Sequence, residues 1–327
     1  MSKGARPFRA QWMSVGAAVL ASALLYWILL RTSDLDFAGL WKAWRNANLP
    51  LVCGVLIFSL FVHIVLGADK LWRVLKAMGF DLPWTLVLKI RLGAGPLRAL
   101  MPVDMGEVLN IAFFRQYSKI PLGDASGACL FDRGLNFMGS AFWLTAGLIM
   151  LPMESQSAAA QALGIAAAGA LYGVFVFATS IHGAVVGLAV KLHPKVGRFA
   201  QGVLSPFKDC PAGRKLFLMG YGIVFQARPL IVCYFLFVAL GVQPPLDVFI
   251  AFASLAVFAG HIPTAAGIGP REAALMVLFQ GLAPAGTIFA VGAAMSLFVH
   301  VIPMIAGLPW LPWFLRGLSG AESGQNP

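Results

Sequence analysis

Leu49 to Ala68 reads LPLVCGVLIFSLFVHIVLGA, twenty positions without an Asp, Glu, Lys or Arg. A helix of that length is about 30 Å long, which matches the hydrocarbon core of a bilayer. The apolar residues do not alternate with polar ones, so the period is not that of a barrel strand, and within lipid a helix satisfies its own backbone groups. Working outward, runs of the same kind lie near 12–30, 134–152, 160–190, 216–241 and 286–315. They predict about six full transmembrane helices. Composition agrees: 59% of the 327 residues are hydrophobic and 11% are charged, against about 25% charged in soluble domains. The sequence therefore predicts an all-α polytopic membrane protein, a single transmembrane domain over 1–327 with no soluble domain.

The formal charge of +11 does not point to nucleic acid, because Lys and Arg are not gathered into a basic stripe with interleaved aromatics. They fall between the apolar runs, where they set topology and attract anionic headgroups. Cys53, Cys129, Cys210 and Cys233 are far apart in the sequence and carry no metal or disulfide spacing. His63, His261 and His300 lie in or beside apolar runs without a ligand motif. No metal and no cofactor is expected, and neither a nucleophile elbow nor a phosphate loop is present.

Lys3, Arg6 and Arg9 precede the first run, which reads as an uncleaved span. Lys70, Arg73 and Lys76 follow the second run, and Lys191, Lys195, Arg198, Lys208, Arg214 and Lys215 fill the longest connection. The connections near 152–159 and 242–245 hold no Lys or Arg. By the positive-inside rule the N-terminus and the two basic segments are cytoplasmic, with the chain in the inner membrane. The spacings Gly169 to Gly173 and Gly183 to Gly187 are expected to mark close helix packing.

Two stretches break the pattern. GAGPLRALMPVDMGE, Gly93 to Glu107, lies between apolar arms too short to cross a bilayer, and HIPTAAGIGPRE, His261 to Glu272, does the same in the second half. Each predicts a re-entrant helical hairpin, about 83–119 and 246–282, with breakers at Pro102, Gly106, Pro263, Gly267 and Gly269. The preceding connections lie on opposite faces by charge, so the hairpins enter from opposite sides, the signature of an inverted repeat. Glu107 and Glu272 both fall just after the breaker, where a carboxylate reads either as a plain cap of the returning helix or as a cap that also takes part in the site.

Charges inside apolar runs need partners. A charge at mid-depth costs roughly 2.5–3.5 kcal/mol, too much for Arg98, Glu107, Asp132, Arg133, Arg228 and Glu272 all to face lipid. Asp132 and Arg133 are adjacent and diverge by about 100° on a helix, so each is expected to find another partner. The expected pairs are Arg133 with Glu107 or Asp132 with Arg98. Arg228, beside Pro229 in an apolar run, is expected to be paired. Arg271 reads equally as an interfacial anchor or a site residue. Arg98, Glu107, Asp132, Arg133, Arg228, Arg271 and Glu272 form the candidate substrate-binding set, with no catalytic residue.

PVDMGE from Pro102, FFRQYSKIPLGDASGACLFDRGLNF from Phe113 and PTAAGIGPREAALMVLF from Pro263 together resemble the flippase-like transmembrane region of lysylphosphatidylglycerol synthases and its stand-alone relatives. The resemblance extends over roughly residues 12–316. It implies a lipid-translocating protein with two re-entrant hairpins, acting on phospholipids or polyprenyl-linked lipids. The family pattern marks Pro102, Gly106, Glu107, Arg133, Pro263, Gly267, Gly269 and Glu272. Asn110 stands where relatives often have a basic residue, Asp104 adds a negative charge, and no aminoacyl-transferase domain follows, so lysyl transfer is not expected.

The first expectation is a lipid flippase rather than an enzyme, with membrane lipids as its partners. The alternatives are a non-catalytic membrane partner of a lipid or glycan synthase, and an intramembrane lipid-modifying enzyme using Glu107 or Asp132 as acid or base.

Overall fold

A computed structural model of the chain describes residues 37–100, 107–150, 156–260 and 269–319; the expected span at 12–30 and the breakers Pro102, Gly106, Pro263 and Gly267 lie outside them. Regular structure among the described residues is helical, with no strand. A short helix α1 (Phe37–Arg45) precedes α2, a continuous run over Leu49–Ala77. Asn48 starts α2 by accepting the Leu51 N–H at 3.2 Å, with Pro50 in the first turn where its missing N–H costs nothing. Within α2, Val62–Leu66 widens into a π turn.

The two broken stretches form helix pairs of similar grammar. In the first, α3 (Trp84–Leu100) is followed by α4 (Glu107–Gln116). Next comes α5 (Leu122–Met150), which at 29 residues is about 43 Å long. After it stand α6 (Gln156–Phe177), α7 (Thr179–Leu192), α8 (Pro194–Asp209) and α9 (Ala212–Ala239). The second pair is α10 (Leu246–Ala259) and α11 (Pro270–Phe279). The last helix, α12 (Ala285–Leu318), carries a second π turn at Leu297–Val301. Among the described residues the runs α2, α9 and α12 are long and apolar enough to cross a membrane, and the bent pair α6 and α7 makes a fourth if it is taken as one span. The chain is a multi-pass membrane protein.

Two expectations from the sequence change. The apolar run 160–190 is not one straight helix: the axis turns by 77° between Ala167–Phe177 and Ser180–Leu192. Such a break exposes the last carbonyls of α6, which need donors. The Lys215 ammonium supplies them, donating to the Val176 carbonyl at 3.0 Å and also to that of Phe207, while the His182 ring meets the Phe175 carbonyl at 2.8 Å. Lys215, read as a loop charge, is therefore a buried cap. The basic connection 191–215 is likewise mostly helical, as α8, which begins at Pro194 with the His193 ring accepting the Lys195 N–H.

At the centre runs α5, packed against α4, α6, α8, α9 and α10. Its glycines allow this. A Cβ at Gly127 would lie 2.7 Å from the Val203 carbonyl oxygen of α8, one at Gly139 2.5 Å from the Gly222 oxygen of α9, and one at Gly147 2.5 Å from Ala251 Cα of α10. Gly169 also meets α5, at Ala141, whereas Gly183 and Gly187 face open space, so the second expected packing motif is not one.

Two apolar cores result. One gathers Leu71, Ile90, Phe113, Phe131, Phe207 and Phe314, and draws on α3 and α4. The other gathers Leu236, Phe237, Phe249, Leu275, Phe279 and Val291, and draws on α10 and α11. The ends of the molecule are fixed independently. At one, the Asn48 N–H bonds the Ala239 carbonyl at 2.8 Å and Gly286 lies against the backbone of Gly39 and Leu40. At the other, Phe113 stacks on Phe314 with ring centres 4.8 Å apart.

Candidate functional site

Glu107 opens α4, and its carboxylate is shared by two arginines. Arg98 Nη2, from the preceding arm, lies 3.1 Å from Glu107 Oε1, and Arg133 Nη2, from α5, lies 3.0 Å from the same oxygen. The Asn110 amide, one turn on, donates to Oε2 at 2.7 Å. A carboxylate at the first turn of a helix, with two guanidinium groups and an amide on it, ties the two arms to α5.

Asp132 does not meet Arg98. It pairs with Lys70 of α2, Nζ to Oδ1 at 3.0 Å, and the same ammonium donates to the Asp132 carbonyl at 3.2 Å and to the Asn136 side chain one turn later. Lys70 has no solvent exposure, so it is no topology-setting loop charge; it ties α2 to α5. Arg91 of α3 is also buried, its Nε donating to the His63 carbonyl in the π turn of α2 at 3.2 Å. Gly67 makes the room: a Cβ there would sit 2.6 Å from the Arg91 guanidinium.

The second pair builds a parallel arrangement. Gly269 has φ +109° and ψ −65°, a conformation that excludes most side chains, and it turns the chain into α11 behind Pro270. The Gly269 N–H donates to Glu272 Oε2 at 2.6 Å. Glu272 Oε1 accepts from Arg271 Nη2 at 3.0 Å and from the Ser296 hydroxyl of α12 at 2.5 Å, and Arg271 also reaches the Ser296 oxygen at 2.6 Å. Arg271 and Glu272 are both buried, so Arg271 is an interior residue and not an interfacial anchor.

Arg228 breaks the pattern of pairing expected for it. It is 6% exposed, and among the described residues its Nε and Nη1 have no hydrogen-bond partner. The charges that bear on it are Arg91 and Arg271, both of its own sign. Phe225, one turn earlier, lies between it and Lys70: the Lys70 ammonium is 4.8 Å and the Arg228 guanidinium 5.8 Å from the ring centre. Among the described residues Lys70, Arg98, Arg133 and Arg271 thus pair with three carboxylates, Asp132, Glu107 and Glu272, while the buried Arg91 and Arg228 have no carboxylate within ion-pair distance. The arrangement carries surplus positive charge in a low-dielectric interior, which is the chemistry of an anion site.

Residues 14–307 match the family described as Lysylphosphatidylglycerol synthase TM region. The chain belongs to that family. No curated protein matches the chain. No solved structure matches it. Of the positions marked by the resemblance to this lysylphosphatidylglycerol synthase family, Glu107, Arg133, Gly269 and Glu272 fall among the described residues. Glu107 and Arg133 touch each other, and Gly269 and Glu272 close one turn.

Sequence reading missed Lys70, Arg91, Asn136 and Ser296. For Lys70 a signal exists: Lys70, Leu71, Val74 and Leu75 form one buried stripe, with Arg73 and Lys76 off it. Asn136 follows one turn after Asp132, which gives it the same helix face.

Proposed function

We propose that this member of the lysylphosphatidylglycerol synthase TM family is a lipid translocator, moving a phospholipid or related amphiphilic lipid between the leaflets of the inner membrane. The observation that carries this reading is the surplus of buried cations around Arg228. A guanidinium with two of its nitrogens, Nε and Nη1, without an acceptor among the described residues is expensive in a membrane interior, and a phosphate headgroup would supply what they lack while the acyl chains stay in lipid.

The placement of the two helix pairs supports an inverted repeat. The α3/α4 pair abuts the C-terminal end of α12 through Phe113 and Phe314, whereas α11 leads into the N-terminal end of α12 at Ala285. These ends are about 50 Å apart along a run of 34 residues. Each pair is preceded by a helix carrying a buried cation, Lys70 or Arg228, and followed by one reaching its glutamate, through Arg133 or Ser296. Re-entrant arms meeting from opposite faces would give a headgroup alternating access by rocking of the halves.

Reconstitution with a fluorescent phospholipid and a membrane-impermeant quencher tests the proposal. Wild-type protein is expected to expose the inner-leaflet probe to the quencher, and Arg228→Gln to slow that exchange by on the order of tenfold or more, the equivalent of one lost charge-assisted contact. Exchange equal to protein-free vesicles across a panel of anionic, zwitterionic and polyprenyl lipids would overturn it.

A further inference from the structure

A second cationic feature lies away from the central residues, where the C-terminal end of α2 meets the N-terminal end of α9. Trp72, Arg73 and Lys76 from α2 and Arg214, Phe217 and Leu218 from α9 line a hollow of about 420 Å³, within the range of small-ligand clefts. Its floor is braced. The Trp72 indole donates to the Leu82 carbonyl at 2.9 Å, Arg73 Nε bonds Asp69 at 2.6 Å, and the Tyr221 hydroxyl donates to the same carboxylate at 3.0 Å. The Arg73 guanidinium is thereby held over the Phe217 ring, 5.4 Å from its centre, and the Lys76 ammonium sits 4.7 Å from that of Trp72.

Three cations face one carboxylate here. Asp69 is engaged by Arg73, and among the described residues Lys76 and Arg214 have no carboxylate within ion-pair distance. Arg214 is in the first turn of a 28-residue helix, where the positive end of the helix dipole disfavours a cation. Its position is therefore not explained by helix stability, and an anion bound between it and Lys76 would relieve both charges. The wall beside them is apolar and open: Phe217, which lines the hollow, is 52% exposed. Cations above exposed apolar side chains, at the ends of two apolar spans, match the layering of a phospholipid with its phosphate above its chains.

We propose that this hollow binds an anionic phospholipid of the adjoining leaflet, the phosphodiester between Arg73, Lys76 and Arg214 and one acyl chain along Phe217. The site is separate from the central cations and does not depend on translocation.

Purified protein is titrated with short-chain phosphatidylglycerol, short-chain phosphatidylcholine or chainless glycerol phosphate, each read by the shift of the thermal midpoint, and phospholipids carried through extraction are counted by native mass spectrometry. Phosphatidylglycerol is expected to raise the midpoint at concentrations where the other two do not. The Lys76→Gln/Arg214→Gln variant is expected to bind it on the order of tenfold more weakly, and Lys76→Arg/Arg214→Lys to retain binding. Lys76→Gln alone, at an exposed position, keeps the test decisive if the double variant does not fold, since it too must bind more weakly. Equal stabilisation by phosphatidylcholine, equal stabilisation by glycerol phosphate, or unchanged binding by the glutamine variants would overturn the proposal.

Discussion

A lysine with no exposure inside a membrane protein survives because it has an ion-pair partner and two hydrogen-bond acceptors. Lys70 has the Asp132 carboxylate, the Asp132 carbonyl and the Asn136 amide, with Phe225 below it. Removing one partner leaves the other charge buried and alone, which costs about 3–5 kcal/mol, while removing both costs much less. Lys70→Met and Asp132→Asn are therefore each expected to lower unfolding stability by about 3 kcal/mol, and the double variant by clearly less than the sum. Thermal or denaturant unfolding in detergent measures the cycle; strictly additive losses would show that the two side chains do not act as a pair. At this scale the sequence was legible only in part. It identified Asp132 and Arg133 as charges needing separate partners, because adjacent helical residues diverge. It named Glu107 for Arg133, which the structure shows, but offered Arg98 for Asp132, because the actual partner, Lys70, stands 62 positions away and is masked by Arg73 and Lys76, which set it in a group of topological charges.

At the scale of elements, the decisive contacts are backbone against backbone. The α5 glycines are spaced so that α8, α9 and α10 each approach one of them, the small-residue packing that membrane helices use where no hydrophobic effect drives association. Gly127→Val is expected to destabilise by roughly 1–3 kcal/mol by forcing α8 away. Gly183→Ala, in open space on α7, is expected to be neutral or to stabilise by about 0.5 kcal/mol through reduced backbone freedom. Comparing the two midpoints checks both signs at once. The sequence reading named Gly169 with Gly173 and Gly183 with Gly187 and passed over the α5 glycines, since spacing fixes the face of a helix but not what lies opposite. The broken stretches were easier, because Pro and Gly between arms shorter than a bilayer leave few alternatives. The kink after Phe177 was not legible, since the donor that caps it, Lys215, reaches back from another helix.

For the whole molecule, the question is whether the two helix pairs open to opposite faces, and the long last helix supplies the ruler. The first pair packs at the end of α12 that carries Phe314, and the second leads into the end that begins at Ala285. Gln116, at the close of α4, and Gln243, before α10, are both exposed. In a background where Cys53, Cys129, Cys210 and Cys233 are replaced by Ala, Gln116→Cys is expected to react with a membrane-impermeant thiol reagent from one face of sealed vesicles and Gln243→Cys from the other. The basic ends of α2 and α9, with Arg73, Lys76 and Arg214, lie on the Gln116 side, and under the positive-inside rule that face is the one expected to be cytoplasmic. Lys76→Cys must then label together with Gln116→Cys. Labelling of Gln116→Cys and Gln243→Cys from the same face would remove the inverted repeat, and with it the route by which one headgroup site could be reached from each leaflet in turn.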